Sequence, residues 1–154
     1  MASRSRERRT FNKHRAQLIS ELGREAQDSV TLNKIGRTQF GPAWAGCWPQ
    51  DRVKLKPNSY QIVNTDTHTG PGQHWLGVYT STTRAYVWDS YGRPVKRLAT
   101  HLIENINKHG LQLGKTDTIH HMEQTGFNSE VCGQDSMSWL LTVRDLGIRK
   151  AAHI

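Results

Sequence analysis

Three side chains in this sequence have the types and settings that nucleophilic chemistry needs. Cys132 stands in Phe127-Asn128-Ser129-Glu130-Val131-Cys132-Gly133-Gln134-Asp135-Ser136-Met137, His74 in Gly72-Gln73-His74-Trp75, and Asp89 in Val87-Trp88-Asp89-Ser90-Tyr91-Gly92. A thiolate needs a base to take its proton, an anion to orient the imidazole, and a turn that exposes the sulfur. Cys132 heads an apolar helical stretch, where unpaired N–H groups and the positive end of the dipole favour a thiolate. Gly133 keeps that turn clear of side chains, so that a substrate carbonyl can approach the backbone. His74 follows the turn Gly70-Pro71-Gly72 and suits a general base. Asp89, 15 positions further on, suits the anion that fixes the imidazole tautomer and stabilises imidazolium. The bland readings are a small buried cysteine, a satisfied surface histidine and a turn-forming aspartate.

The elements that must position these residues are legible from periodicity. Strands are predicted at Tyr60 to Thr65, Trp75 to Thr80 and Ala85 to Asp89, the last two joined by Ser81-Thr82-Thr83 so that Asp89 returns beside His74. Residues 6 to 25 read as a polar helix with Phe11, Leu18, Ile19 and Leu22 as a thin apolar stripe and Gly23 near its end. Thr31 to Ile35 reads as a short helical turn closed by Gly36. Residues 41 to 58, with three prolines and two tryptophans, read as a loop packed by its aromatics. Val95 to His109 is an amphipathic helix stopped by Gly110, Leu111 to His120 one more strand, and Cys132 to Leu146 a buried helix. Strands bracketed by helices indicate an α+β fold. Trp44, Trp48, Trp88 and Trp139 are assigned to packing.

At 154 residues the chain is expected to form one domain, burying roughly 70% of its unfolded surface. No apolar run approaches the roughly 20 residues of a membrane span, and the start lacks a signal peptide's apolar stretch, so no membrane association or secretion is expected. Two cysteines are too few for a disulfide framework or a four-thiolate zinc site, which points to a reducing compartment and a free thiol. The eight histidines are scattered, and adjacent His120-His121 lacks the spacing that puts two ligands on one helix face, so no metal is expected. Lys and Arg outnumber Asp and Glu by 21 to 13, for a net charge of +8. Arg4, Arg6, Arg8, Arg9, Lys13 and Arg15 form the strongest cluster, either a solvated, partly disordered basic arm or a sequence-independent DNA contact.

Beyond its three candidate residues, the chain resembles the adenovirus endopeptidase (adenain) family, including relatives in Maverick/Polinton elements, with SUMO-deconjugating proteases as distant cousins. The likeness is carried by the motifs above together with Gly41-Pro42-Ala43-Trp44-Ala45-Gly46-Cys47-Trp48-Pro49-Gln50-Asp51, similar to the family's entry segment. Gln61-Ile62-Val63-Asn64-Thr65, ending nine residues before His74, is similar to the strand before its histidine. These matches span roughly Thr31 to Gly147.

The resemblance implies a papain-like, adenain-type fold and a His74-Asp89-Cys132 cysteine endopeptidase. It implies cleavage of viral precursor proteins near glycine-containing sites during virion maturation, with DNA as an activator. Gln124 would be the oxyanion donor beside the Cys132 N–H, with Gln134 the weaker choice. Its separation of eight from Cys132 is about one longer than in adenoviral enzymes, so a small loop insertion is implied. Trp75 would line the substrate groove, against ordinary packing as the alternative.

Adenoviral enzymes of mammals are activated by a peptide disulfide-bonded to a cysteine between the acid and the nucleophile. No cysteine lies between Asp89 and Cys132, so a covalent peptide cofactor is not expected, while a non-covalent one stays open. A monomer in the virion and the host nucleus or cytoplasm is expected. A deconjugating protease for a ubiquitin-like modifier, and a basic nucleic-acid-binding virion protein on a protease fold, are the competing readings.

Overall fold

A computed structural model describes residues 5–116 and 130–154. The fold is α+β, built on a five-stranded mixed sheet ordered β1-β2-β3-β4-β5. The strands are β1 (Trp44–Pro49), β2 (Ser59–Asn64), β3 (Trp75–Thr80), β4 (Arg84–Trp88) and β5 (Gln112–Leu113). β2, β3 and β4 run antiparallel to their neighbours in turn, while β1 and β5 flank them in parallel pairings. The helices are α1 (Arg6–Leu22), α2 (Ser29–Phe40), α3 (Val95–Leu98), α4 (Thr100–Lys108), α5 (Cys132–Leu146) and α6 (Ile148–Ala151).

Side chains alternate across the sheet, as the period of two requires. Ile62, Tyr86 and Trp88 face a core shared with Phe11, Leu32, Met137 and Trp139 of α1, α2 and α5. Val63, Leu76, Val78, Ala85 and Val87 face a second core closed by Leu102 and Ile106 of α4. α5 is buried from Cys132 to Val143, as its apolar composition predicts.

The N-terminal segment is the helix with an apolar stripe that the sequence predicts over 6–25, ending at Leu22, and not a solvated arm. It is α1, capped by Ser5, whose Oγ accepts from the Arg8 N–H at 3.2 Å, and ended by Gly23 at φ 78°. Its apolar stripe is narrow but effective, because Phe11 is fully buried against the Trp88 ring at 5.6 Å.

The 31–35 turn and the 41–58 loop also need correcting. α2 runs on to Phe40 through Gly36, which is glycine because Trp44 lies against it. A Cβ there would sit 2.1 Å from the Trp44 ring. Trp44 opens a true strand, its indole N–H and the Cys47 N–H both donating to Asn33 Oδ1, at 3.0 and 3.1 Å. The strand bulges at Gly46, where φ is 112°, and that irregularity hides it from a period-two reading. The 95–109 helix is broken at Ala99, whose backbone leaves the helical region at φ −148°, ψ 71°. β5 covers two residues of the 111–120 prediction, and positions 117–120 lie outside the described residues.

Candidate active site

His74 reaches its place through a stapled loop. Asn64 Oδ1, at the end of β2, accepts from Asp66 N at 2.8 Å and Gln73 N at 3.0 Å. The Thr65 N–H donates to the His74 carbonyl at 2.8 Å. Asp66 accepts from Thr67 N at 3.0 Å and Gly72 N at 3.1 Å, so the nine residues between β2 and His74 are held from within. The imidazole is thereby fixed at the mouth of β3.

Asp89 follows β4 and arrives beside His74 because β3 and β4 pair through a short turn. In that turn Ser81 N donates to the Arg84 carbonyl at 2.8 Å. His74 Nε2 and Asp89 Oδ1 are 2.5 Å apart. Asp89 is 3% exposed, and its second oxygen accepts from Arg93 N at 2.9 Å and Arg93 Nε at 3.0 Å. Arg93 in turn lies over the Tyr91 ring at 4.7 Å, and Tyr91 stands 5.5 Å from the imidazole. The sequence reading singled out neither residue for this site; the Asp89-Arg93 spacing of four was the available signal.

Cys132 is the first residue of α5, and the preceding Val131 supplies no side-chain cap. The first-turn N–H groups are therefore not taken by a capping side chain. Trp75 N lies 3.5 Å from Cys132 Sγ, which brings the thiol beside His74, where it acts electrostatically on the imidazole. With Nε2 held by Asp89, Nδ1 is the ring nitrogen left to exchange a proton. Ser136 Oγ donates to the Trp75 carbonyl at 3.2 Å, tying α5 to the strand that starts beside His74.

Burial works against a charged His74, but the hydrogen bond to Asp89 and the bond and charge of Cys132 outweigh it, raising its pKa to about 9. For Asp89 burial acts upward, and the bonds from His74 and Arg93 overcome it, bringing it down to about 2. A raised histidine stabilises the fold fully below its unfolded value, near 6.5, and loses that contribution as pH climbs through about 9. A depressed aspartate contributes above about 3.8 and loses it as pH falls through about 2. Urea midpoints should therefore decline between these two histidine values on the alkaline side, and His74→Gln should remove that decline. An unchanged alkaline limb in His74→Gln would refute the pairing.

Other residues are placed differently from expectation. Gly133 does not front an open turn: it is buried, and a Cβ on it would sit 3.3 Å from Leu32 Cδ1, where α2 packs closely on α5. Gln134 is fully buried, and its amide donates to the carbonyls of Gly23 at 3.0 Å and Glu25 at 2.8 Å. Its amide is thus spent on closing the segment after α1. Gln124 lies outside the described residues, as do Phe127, Asn128, Ser129 and Arg4. Trp75 packs on the core, its indole N–H donates to the Gln27 carbonyl at 2.9 Å, and its side chain lines a groove. That groove, of ≈ 600 Å³, also takes in Gln27, Trp48, Asn64 and Gln73. Cys47 lines it too, and burial pushes its thiol up to about 12 despite the nearby charge of Arg37.

Of the basic cluster, Arg6, Arg9 and Lys13 are exposed, and Arg8 lies over the Phe11 ring at 5.6 Å. Arg15 is committed elsewhere: its Nε donates at 2.6 Å to Asp135 Oδ1, on a carboxylate with no exposure. Among the described residues no group of three or more His, Cys, Asp or Glu could hold a metal ion, and no helix is long and apolar enough to cross a membrane. No protein-family model matches the chain, and no curated protein is significantly similar to it.

Proposed function

We propose that the chain is a cysteine endopeptidase of the adenain type, on a papain-like arrangement of sheet and nucleophile helix. The observation that carries this reading is the convergence of Cys132, His74 and Asp89 from a helix start and two strand ends: the imidazole is bonded to Asp89, and Cys132 Sγ lies 3.5 Å from the N–H of the residue that follows His74. His74 Nδ1 already carries the proton that the thiol gives up, while Asp89 holds Nε2 and balances the imidazolium charge. The sulfur then attacks the scissile carbonyl carbon. The resulting oxyanion is met by the Cys132 N–H, with the Gln124 amide as the second donor. The C–N bond breaks, the amine leaves with the proton from His74, and a thioester remains. Water, deprotonated by His74, attacks that thioester and releases the acid and the free thiol.

The substrates are viral precursor proteins cut near glycine during particle maturation, in the virion and in the host nucleus or cytoplasm. DNA acts as a non-specific activator, bound in part by the exposed Arg6, Arg9 and Lys13. The working unit is a monomer that needs no metal or coenzyme. Digestion of a panel of virion precursor proteins, with and without duplex DNA, tests this. Discrete cleavage near glycine, faster with DNA and absent in Cys132→Ala, is expected. Intact precursors under both conditions, from a chain whose Cys132 is free, would reject it.

A further inference from the structure

A cavity of ≈ 760 Å³ lies between the β4–β5 edge and α6, and Cys132 does not line it. Arg84, Lys115, Arg149 and His153 line it together with Leu113 and Ile148, and no Asp or Glu does. The cations are exposed. Among the described residues neither Arg84, Lys115 nor Arg149 enters an ion pair. Glu7, at the start of α1, feels the charges of Lys150 and His153 from outside the cavity. The shape is set by the backbone: Gly114 lies flat on the Tyr86 ring, where a Cβ would come within 2.2 Å, so β5 leaves the space open.

Like charges gathered around a concavity repel one another and focus a positive potential into it, which an anion relieves. Guanidinium groups recognise phosphate oxygens by paired, charge-assisted hydrogen bonds, with an ammonium group as a further point charge. A concave rim of separate cations suits several phosphates clustered on one small molecule.

We propose that this cavity binds a compact polyphosphate. The inference stands apart from the protease reading, because it needs neither Cys132 nor His74. Calorimetric titration of the full-length Cys132→Ala chain with inorganic tripolyphosphate, ATP, inorganic phosphate and a short duplex DNA tests it. Saturable one-to-one binding of tripolyphosphate, much tighter than of single phosphate, is expected. Equal affinity for ATP would show that the phosphates alone are read, and tighter ATP binding that the nucleoside adds contacts. Arg149→Gln should weaken tripolyphosphate binding by about tenfold, the effect of one lost charge-assisted contact. Arg84→Gln with Arg149→Gln should weaken it further, while Arg6→Gln with Arg9→Gln on α1 should leave it nearly unchanged. These side chains are exposed, so the variants keep the fold, which far-ultraviolet dichroism checks. Tripolyphosphate affinity that ignores Arg84, Lys115 and Arg149 would overturn the proposal. So would duplex binding that depends on these three residues in a chain that does not bind tripolyphosphate.

Discussion

Cys132→Ala should abolish peptide-bond cleavage, and Cys47→Ala should leave most of it. Both thiols are free, so composition alone does not separate them. Their surroundings do. Cys132 begins a 15-residue helix, and its Sγ lies 3.5 Å from the N–H of Trp75, next to His74. Cys47 lies in a strand, its thiol raised to about 12 and so protonated at neutral pH. A protonated thiol is a poor nucleophile. His74→Ala should cost nearly as much as Cys132→Ala, because residues acting as one unit are strongly non-additive. Asp89→Asn should be milder than either, since it orients the imidazole without touching the substrate. Initial rates on a peptide substrate, with alkylation of each cysteine followed by mass spectrometry, decide the matter. An inactive Cys47→Ala beside an active Cys132→Ala would make Cys47 in β1 the nucleophile and reject Cys132.

Arg15→Ala should destabilise the fold by about 2–3 kcal/mol, because it removes the charged partner of a buried carboxylate. Asp135 has no exposure, and Arg15 Nε approaches it at 2.6 Å. The lower part of the range for a broken buried pair is the right one, since Asp135 has further interactions. Arg6→Ala, on an exposed side chain, should change stability by less than about 0.5 kcal/mol. Denaturant titration of both variants, with DNA affinity measured in parallel, separates the roles of the two arginines. If Arg15→Ala weakened DNA binding at unchanged stability, Arg15 would be a phosphate ligand, as its place in the basic cluster first indicates.

What the sequence disclosed and what it hid follow from the range of the contacts involved. β3 and α5 have the predicted bounds, because β3 is a short run rich in aromatic and β-branched residues and α5 carries Met137, Leu140, Leu141 and Val143 at helical spacing. The β3–β4 turn was legible in Ser81-Thr82-Thr83, and with it the approach of Asp89 to His74. Gly36 and Gly46 misled because each makes room for a tryptophan ring, Trp44 and Trp48 respectively. Locally, such glycines look like stops. Arg15 looked like surface charge because its partner is 120 positions away. Gln134 looked like a helix residue near the thiol, yet its buried amide closes the chain after α1, 111 positions back. In each case a long-range partner outweighed the local pattern.

The packing of α1 on α5 also orders assembly in time. β2, β3 and β4 join through neighbouring strands, so His74 and Asp89 can meet while only a short loop is closed. Cys132 is different. The helix that carries it is seated by partners at the far end of the chain, with His14 bound to Asp145 across 131 positions and Arg15 to Asp135 across 120. Closing loops of that length costs entropy before any contact offsets it, which makes such steps late and slow. A chain caught before this closure holds its acid–base pair ready but has no sulfur beside it.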